Sequence, residues 1–127
     1  MLRGLGVRGG PGLAMTSAVV FALDGVGLID QVAVITEGQL SGLVNKGLVV
    51  GEASPEAADG GPLAWLENGD TISLDVEKRE VNLEVPAAEL EKRQSQNRQF
   101  GAQDVPGYLG IYQRLVQPVH KGATLLK

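Results

Sequence analysis

Gln31-Val32-Ala33-Val34-Ile35-Thr36, followed at once by Glu37-Gly38-Gln39-Leu40-Ser41-Gly42, is the stretch on which the fold turns. Its first half is apolar and rich in β-branched side chains, and at six residues it is too short for a helix. It reads as a buried strand. Its second half is a polar turn closed by glycines. Groups that meet ligands in α/β folds gather where strands end, so Ser41, set between Leu40 and Gly42, is the candidate functional hydroxyl. Gly38 and Gly42 let the backbone approach a ligand closely and free an N–H each. A lone serine in such a place is equally a turn residue, and the residues alone leave both readings open.

Upstream, Met1–Gly12 (MLRGLGVRGGPG) holds five glycines and a proline and reads as a loop. Met15, Ala18, Val19, Ala22 and Leu23 then recur as one face of a helix. Thr16 or Ser17 caps its start, and Asp24-Gly25 with Gly27 stops it. Gly4-x-Gly6-x-x-Gly9, with Asp24 downstream, has the spacing of a dinucleotide fingerprint. No strand feeds that loop, because only three residues precede Gly4, and the helix opens late. Nucleotide binding is therefore rejected. The loop is read either as a structural turn or, in preference, as an active-site loop whose exposed Gly9 and Gly10 amides face a polar ligand.

Downstream, Gly47–Gly51 is a second short strand. Ser54–Ala58 suits one capped helical turn with Pro55 at the first helical position, Gly60-Gly61-Pro62 a turn, and Leu63–Leu66 a third strand. Ile72, Leu74 and Val76 alternate with polar residues, as do Val81, Leu83 and Val85, which predicts a hairpin joined by Glu77–Glu80. Pro86 opens a helix, PAAELEKRQ, acidic early and basic late. Residues 95–105 are polar loop. Tyr108, Ile111, Tyr112, Leu115, Val116 and Val119 form a last helical stripe that stops near Pro118. The expectation is a single domain over residues 1–127, α/β in class, with a β-rich barrel or sandwich centre and flanking helices.

The 127 residues are 43% hydrophobic with a net charge of −4, and 18 are glycine. A globular core follows, and a nucleic-acid partner does not. No apolar run is long enough to span a bilayer, and no secretory leader is evident, so a cytoplasmic protein is expected. There is no cysteine, which removes disulfides and thiolate ligation of zinc or iron–sulfur clusters by this chain. The single histidine, His120, lacks partners for a triad and reads as a surface residue. Glu52, Glu56, Asp59, Glu67 and Asp70 lie near turns without calcium-loop spacing and read as solvated surface. No metal ligand is assigned.

Four segments in order carry a resemblance: RGLGVRGGPG at 3–12, VAVITEGQLSG at 32–42, SPEAADGGPLAWLENGDTISLDVEKREVNLEV at 54–85, and ELEKRQ at 89–94. The chain resembles the C-terminal domain of the dihydroxy-acid/phosphogluconate dehydratase family. That resemblance implies a swivelling, β-barrel-like β/β/α domain of a cytoplasmic hydro-lyase, as in branched-chain amino acid synthesis. The reaction removes water from a 2,3-dihydroxy acid or sugar acid to leave a 2-keto acid. It implies Ser41 as the catalytic base for the C2 proton, with Gly9, Gly10, Gly38 and Gly42 around the substrate. The iron–sulfur cluster and magnesium would belong to an N-terminal domain of the same enzyme, a homo-oligomer, with no cofactor held by this chain. The chain alone is then incomplete and inactive, and the face that would meet the N-terminal domain drives self-association.

Two departures stand out. The family's Asp-Gly-Arg is here Glu37-Gly38-Gln39, and Met15 stands where the family carries a glutamate that resembles a magnesium ligand. A thioether does not serve a hard cation. These losses open a second expectation, a non-catalytic interaction module derived from the family.

Overall fold

The structure is a computed structural model, and it describes residues 1–96 and 104–125. The chain is α/β. Helix α1 (Ser17–Gly25) is followed by strands β1 (Val34–Ile35) and β2 (Val49–Val50), two 3-10 turns (Ala57–Asp59 and Pro62–Trp65), and strands β3 (Ile72–Asp75) and β4 (Glu80–Leu83). Helices α2 (Ala87–Ser95) and α3 (Tyr108–Leu115) and a last 3-10 turn (Val119–Lys121) complete the order.

β1 and β2 pair in parallel, Val34 opposite Val49 and Ile35 opposite Val50. β3 and β4 pair antiparallel, with Ile72 opposite Leu83 and Leu74 opposite Val81. The expected barrel is not formed among the described residues, which hold two two-stranded sheets. The reason is local. The QVAVIT run has only Val34 and Ile35 in a strand, and Thr36 makes a single parallel bridge to Leu2. On the other edge of β1 the Ile35 carbonyl accepts from the Leu2 N–H, and beyond β2 the Thr36 carbonyl accepts from the Ala53 N–H, single bonds that do not continue as strands. The hairpin was legible, with its connection one residue earlier, at Val76–Arg79.

Leu63–Leu66 is not a strand. Pro62, with its fixed φ at the first position, starts a 3-10 turn there instead. Arg3 holds that turn by donating from Nη1 to the carbonyls of Leu63 (2.9 Å) and Leu66 (2.6 Å). Pro55 is also not a first helical residue, since the turn begins at Ala57 after an extended Glu56. Arg93 secures α2 with two bonds to the Asp70 carboxylate at 2.6 and 3.1 Å and a third to Glu89 at 3.2 Å. The Asp70 bond, first of these, raises the guanidinium pKa and lowers that of Asp70.

One core cluster joins Val20, Ile29 and Val34, with Leu2, Leu23, Leu40, Val44 and Val49 against it; Val7, Ile35, Ala57, Ala64 and Val116 are also buried. Each fully buried Val or Ile contributes on the order of 1.5–3 kcal/mol. Helices α1 and α3 turn inward only part of the face that their apolar periodicity predicts: Leu23 packs against the core and Val116 is fully buried, but most of each stripe is outside. In α1 the buried residues are Ser17 and Val20, with Thr16 just before them, while Ala18, Val19 and Ala22 are exposed. In α3 they are Gly110 and Gln113, followed by Val116, while Tyr108, Ile111 and Leu115 face outward.

Glycines let the segments approach. A Cβ placed on Gly61 would lie 2.0 Å from the Pro55 carbonyl oxygen, a backbone atom that cannot step aside. Gly61→Ala is therefore expected to destabilise by about 3 kcal/mol. Urea unfolding should show this against Gly25→Ala, where nothing lies within 4 Å and the midpoint should hold. Equal midpoints for the two variants would contradict the packing.

Candidate functional site

The turn after β1 is pinned on every side. The Thr36 hydroxyl accepts from the Gly38 N–H (3.0 Å), and the Gly38 carbonyl accepts from Glu52 N–H (3.1 Å). Gln39 pairs in parallel with Met15. Its N–H donates to the Ala14 carbonyl (2.9 Å), and its carbonyl accepts from the N–H (2.8 Å) and hydroxyl (3.0 Å) of Thr16. The Ser17 hydroxyl accepts from the Ser41 N–H at 2.6 Å. Thr16 and Ser17 were expected to cap α1, but neither makes a side-chain cap bond within the helix. Their hydroxyls bind the turn instead, which is why two polar residues are buried on the inner face of α1.

Ser41 itself is half-buried. Its Oγ accepts from the Leu43 N–H at 3.2 Å, which leaves its own proton free to be given away. The surface around it is neutral and partly apolar: Gln39 and Gly42 are exposed, Met15 is 66% exposed and Leu43 77%.

The glycine-rich loop differs from expectation. The Gly9 N–H is buried and donates to Glu56 Oε2 (2.9 Å), and the Gly10 N–H donates to the Gly6 carbonyl (2.9 Å). Neither amide faces a ligand, because the chain's own acceptors have taken both. Gly38 likewise donates internally, and a Cβ there would lie 2.6 Å from the Ala14 carbonyl oxygen, so its lack of a side chain serves packing. Among the four glycines only Gly42 is open, with nothing within 4 Å of an added Cβ and no acceptor for its N–H among the described residues.

Two carboxylates that sequence reading did not place inside hold this arrangement together. Glu37 is 1% exposed. Its Oε2 accepts from the N–H groups of Gly4 (2.6 Å) and Leu5 (3.3 Å), and its Oε1 from the Ala57 N–H. Glu56, expected at the surface, is 4% exposed and accepts from the Arg8 (3.0 Å) and Gly9 amides. Burial raises the Glu56 pKa, the two amide bonds oppose that, and the charges of Asp59 and Glu37 add to it. Burial and the same Glu56 charge raise Tyr112.

Asp59 also departs from the expected solvated surface, since it pairs with the Arg8 guanidinium. Arg8 Nη2 donates to the Val116 carbonyl (3.0 Å), and Gln113 Nε2 donates to the Arg8 carbonyl (2.7 Å), so the loop is fastened to α3 as well. His120 is at the surface as expected, but with a partner: its Nδ1 is 2.7 Å from Ser54 Oγ. No local spacing signalled these pairs, because the partners stand 47 to 108 residues apart.

The structure thus brings the glycine-rich loop and the Ser41 turn side by side. A Cβ on Gly10 would meet Leu5 Cα at 3.1 Å, and one on Gly38 would meet Leu5 Cβ at 3.2 Å. Leu5 separates the two segments. No group of three or more His, Cys, Asp or Glu side chains that would hold a metal is present among the described residues. An apolar cavity between the two sheets, lined by Ile35, Val50, Leu66, Ile72 and Leu83, lies among residues other than those of the Ser41 turn. No helix among the described residues is long and apolar enough to cross a membrane.

The family model for the dihydroxy-acid/6-phosphogluconate dehydratase C-terminal region matches residues 1–123. Among curated proteins, the dihydroxy-acid dehydratase of Caldicellulosiruptor saccharolyticus is 42% identical over 125 residues, which is 98% of this chain and 22% of that protein. That of Halothermothrix orenii is 42% identical over 120 residues, 94% of this chain and 21% of the relative. That of Methanococcus maripaludis is 39% identical over 125 residues, again 98% and 22%. The chain spans about a fifth of the length of these relatives.

Proposed function

This chain belongs to the dihydroxy-acid/6-phosphogluconate dehydratase C-terminal family, and from that premise we propose that it is the C-terminal, serine-bearing domain of a cytoplasmic hydro-lyase. The substrate class is a 2,3-dihydroxy acid or sugar acid, and the product is the 2-keto acid. The partner is the N-terminal domain of the same enzyme, on which this domain swivels shut, and the whole is a homo-oligomer.

The observation that carries the proposal is the Ser41 turn. Its main chain is held by the Ser17 hydroxyl, the Ser41 hydroxyl accepts from the N–H of exposed Leu43, and two residues earlier Gln39 pairs with exposed Met15. Such a rim suits closure against another domain that excludes water from the reacting atoms. In this reading the Ser41 hydroxyl gives its own proton to the departing C3 hydroxyl, which leaves as water, and the Ser41 oxygen takes the C2 proton. The C2–C3 double bond forms as the C3–O bond breaks, and the resulting enol becomes the keto acid. The Gly42 N–H is positioned beside Ser41 to steady developing negative charge.

The family's cluster and magnesium do not fit this chain's own residues. It has no cysteine, and Met15 offers a thioether where a hard cation needs oxygen. Those groups belong to the N-terminal domain, and no step here passes through them.

The experiment is a chimera in which this chain replaces the matching C-terminal region of the Caldicellulosiruptor saccharolyticus dihydroxy-acid dehydratase. The expected result is turnover of dihydroxyisovalerate, gluconate or arabonate by the chimera and none by this chain alone. Neutral Met15 and Gln39 at the two positions where the family carries charge favour one second reading, a non-catalytic interaction module. A folded chimera that assembles but dehydrates none of the three acids would establish the module instead.

A further inference from the structure

Both buried carboxylates grip main-chain amides of the glycine-rich loop, which packs beside the Ser41 turn, and neither bonds to the Ser41 side chain. We propose that Glu56 is a positioning residue: its carboxylate clamps the Arg8–Gly9 peptide and thereby holds the Ser41 turn in register through the glycine-rich loop. The inference rests on the dehydratase reading, since the register of that turn matters only if Ser41 meets substrate.

The path is a set of hydrogen bonds joined by one or two residues of main chain. Glu56 accepts from Arg8 and Gly9. The Gly10 N–H returns to the Gly6 carbonyl, and the Ala14 N–H to the Leu5 carbonyl (3.1 Å). Ala14 then accepts from Gln39, two residues before Ser41. A Cβ on Gly6 would lie 2.3 Å from Glu56 Oε2, so the loop is shaped to admit this carboxylate and no side chain in its place.

The clamp is held against an opposing tendency. The groups facing Glu56 are Arg8 from the loop, Asp59 from its own turn, Glu37 from the end of β1 and Tyr112 from α3. Burial, the largest cause, raises its pKa above the usual carboxylate range; the Gly9 and Arg8 amide bonds oppose this and the charges of Asp59 and Glu37 add to it. Because the folded value lies above the unfolded one, the folded chain holds the extra proton between the two. Stability contributed by Glu56 is therefore full below the unfolded pKa and declines as pH rises through the folded one. A buried carboxylate that accepts two main-chain amides, in a loop where Gly6 leaves room for it, is explained by what it positions.

The test is a pH titration of the whole chain by two-dimensional amide NMR together with the Glu56 carboxyl resonance. The Arg8 and Gly9 amides should shift with the Glu56 midpoint, above 4.5, and the Ser41 and Gly42 amides should follow the same midpoint. In Glu56→Gln all four should lose it, and Arg8 and Gly9 should exchange with solvent about tenfold faster. If the variant does not fold, the wild-type titration decides alone. Ser41 and Gly42 amides that ignore the Glu56 midpoint overturn the proposal, as does a titration that survives in Glu56→Gln. Chimera turnover is not read here, so coupled titration beside an inactive chimera would sink the dehydratase reading and leave the clamp standing.

Discussion

Glu37→Ala is expected to remove about 3–5 kcal/mol of stability, a large part of the roughly 5–15 kcal/mol that keeps a domain folded. Glu37 accepts three main-chain N–H groups from two segments distant in sequence. Alanine leaves all three donors buried without an acceptor, at roughly 1–3 kcal/mol each. Bonds to an ionised acceptor are about twice as strong as neutral ones. Relief from burying the charge offsets part of this, which sets the lower end of the range. Circular dichroism during urea unfolding measures the change. Glu91→Ala, on the exposed side of α2, should leave the midpoint where it was. A Glu37→Ala midpoint close to the wild type would mean that the buried carboxylate is not what joins the amino-terminal loop to the 56–57 turn.

The same residue shows where sequence reading ended. Local period carries the hairpin, α2 and the position of β1, because alternating burial and helix-end charge leave their mark within a few residues. A carboxylate that meets amides 20 to 33 residues away leaves none. Next to a glycine, Glu37 reads as part of a polar turn, although its side chain points into the protein. Gly9 and Gly10 failed for the matching reason. Glycine-rich loops expose amides only if the chain has no acceptor for them, and here Glu56 and the Gly6 carbonyl are those acceptors.

The helix faces were misread for a different reason. α1 carries apolar side chains over most of its circumference, and its inner face includes two hydroxyl residues that are buried because they bond to the turn after β1. Apolar periodicity then selects Met15, Ala18, Val19 and Ala22, which are exposed, together with Leu23, which packs against the core. α3 behaves in the same way, with Gln113 inside because it donates to the Arg8 carbonyl. Apolar periodicity in this chain therefore marks two kinds of surface, a small core and a larger outer face. Only the second explains why Tyr108, Ile111 and Leu115 align without packing inward. The family resemblance supplied what periodicity could not, the identity of Ser41 as the residue to test.

Ser41→Ala in the chimera is expected to lower kcat by about 10³, the scale of a lost general base, with KM and fold little changed. The fold should tolerate the change because the Ser41 hydroxyl accepts only one exposed bond, from Leu43, at a net contribution of about 1 kcal/mol. Ser17→Ala separates the base from its support. It leaves the reacting hydroxyl in place but removes the acceptor of the Ser41 N–H, so kcat should fall less, by about tenfold, with added loss of stability. The order of the two effects is the decisive quantity. A base acting through its own oxygen must suffer more from losing that oxygen than from losing the hydroxyl beneath it. If Ser17→Ala proves the more damaging to kcat, then Ser41 serves as a structural turn residue, and the proton acceptor has to be sought on the partner domain.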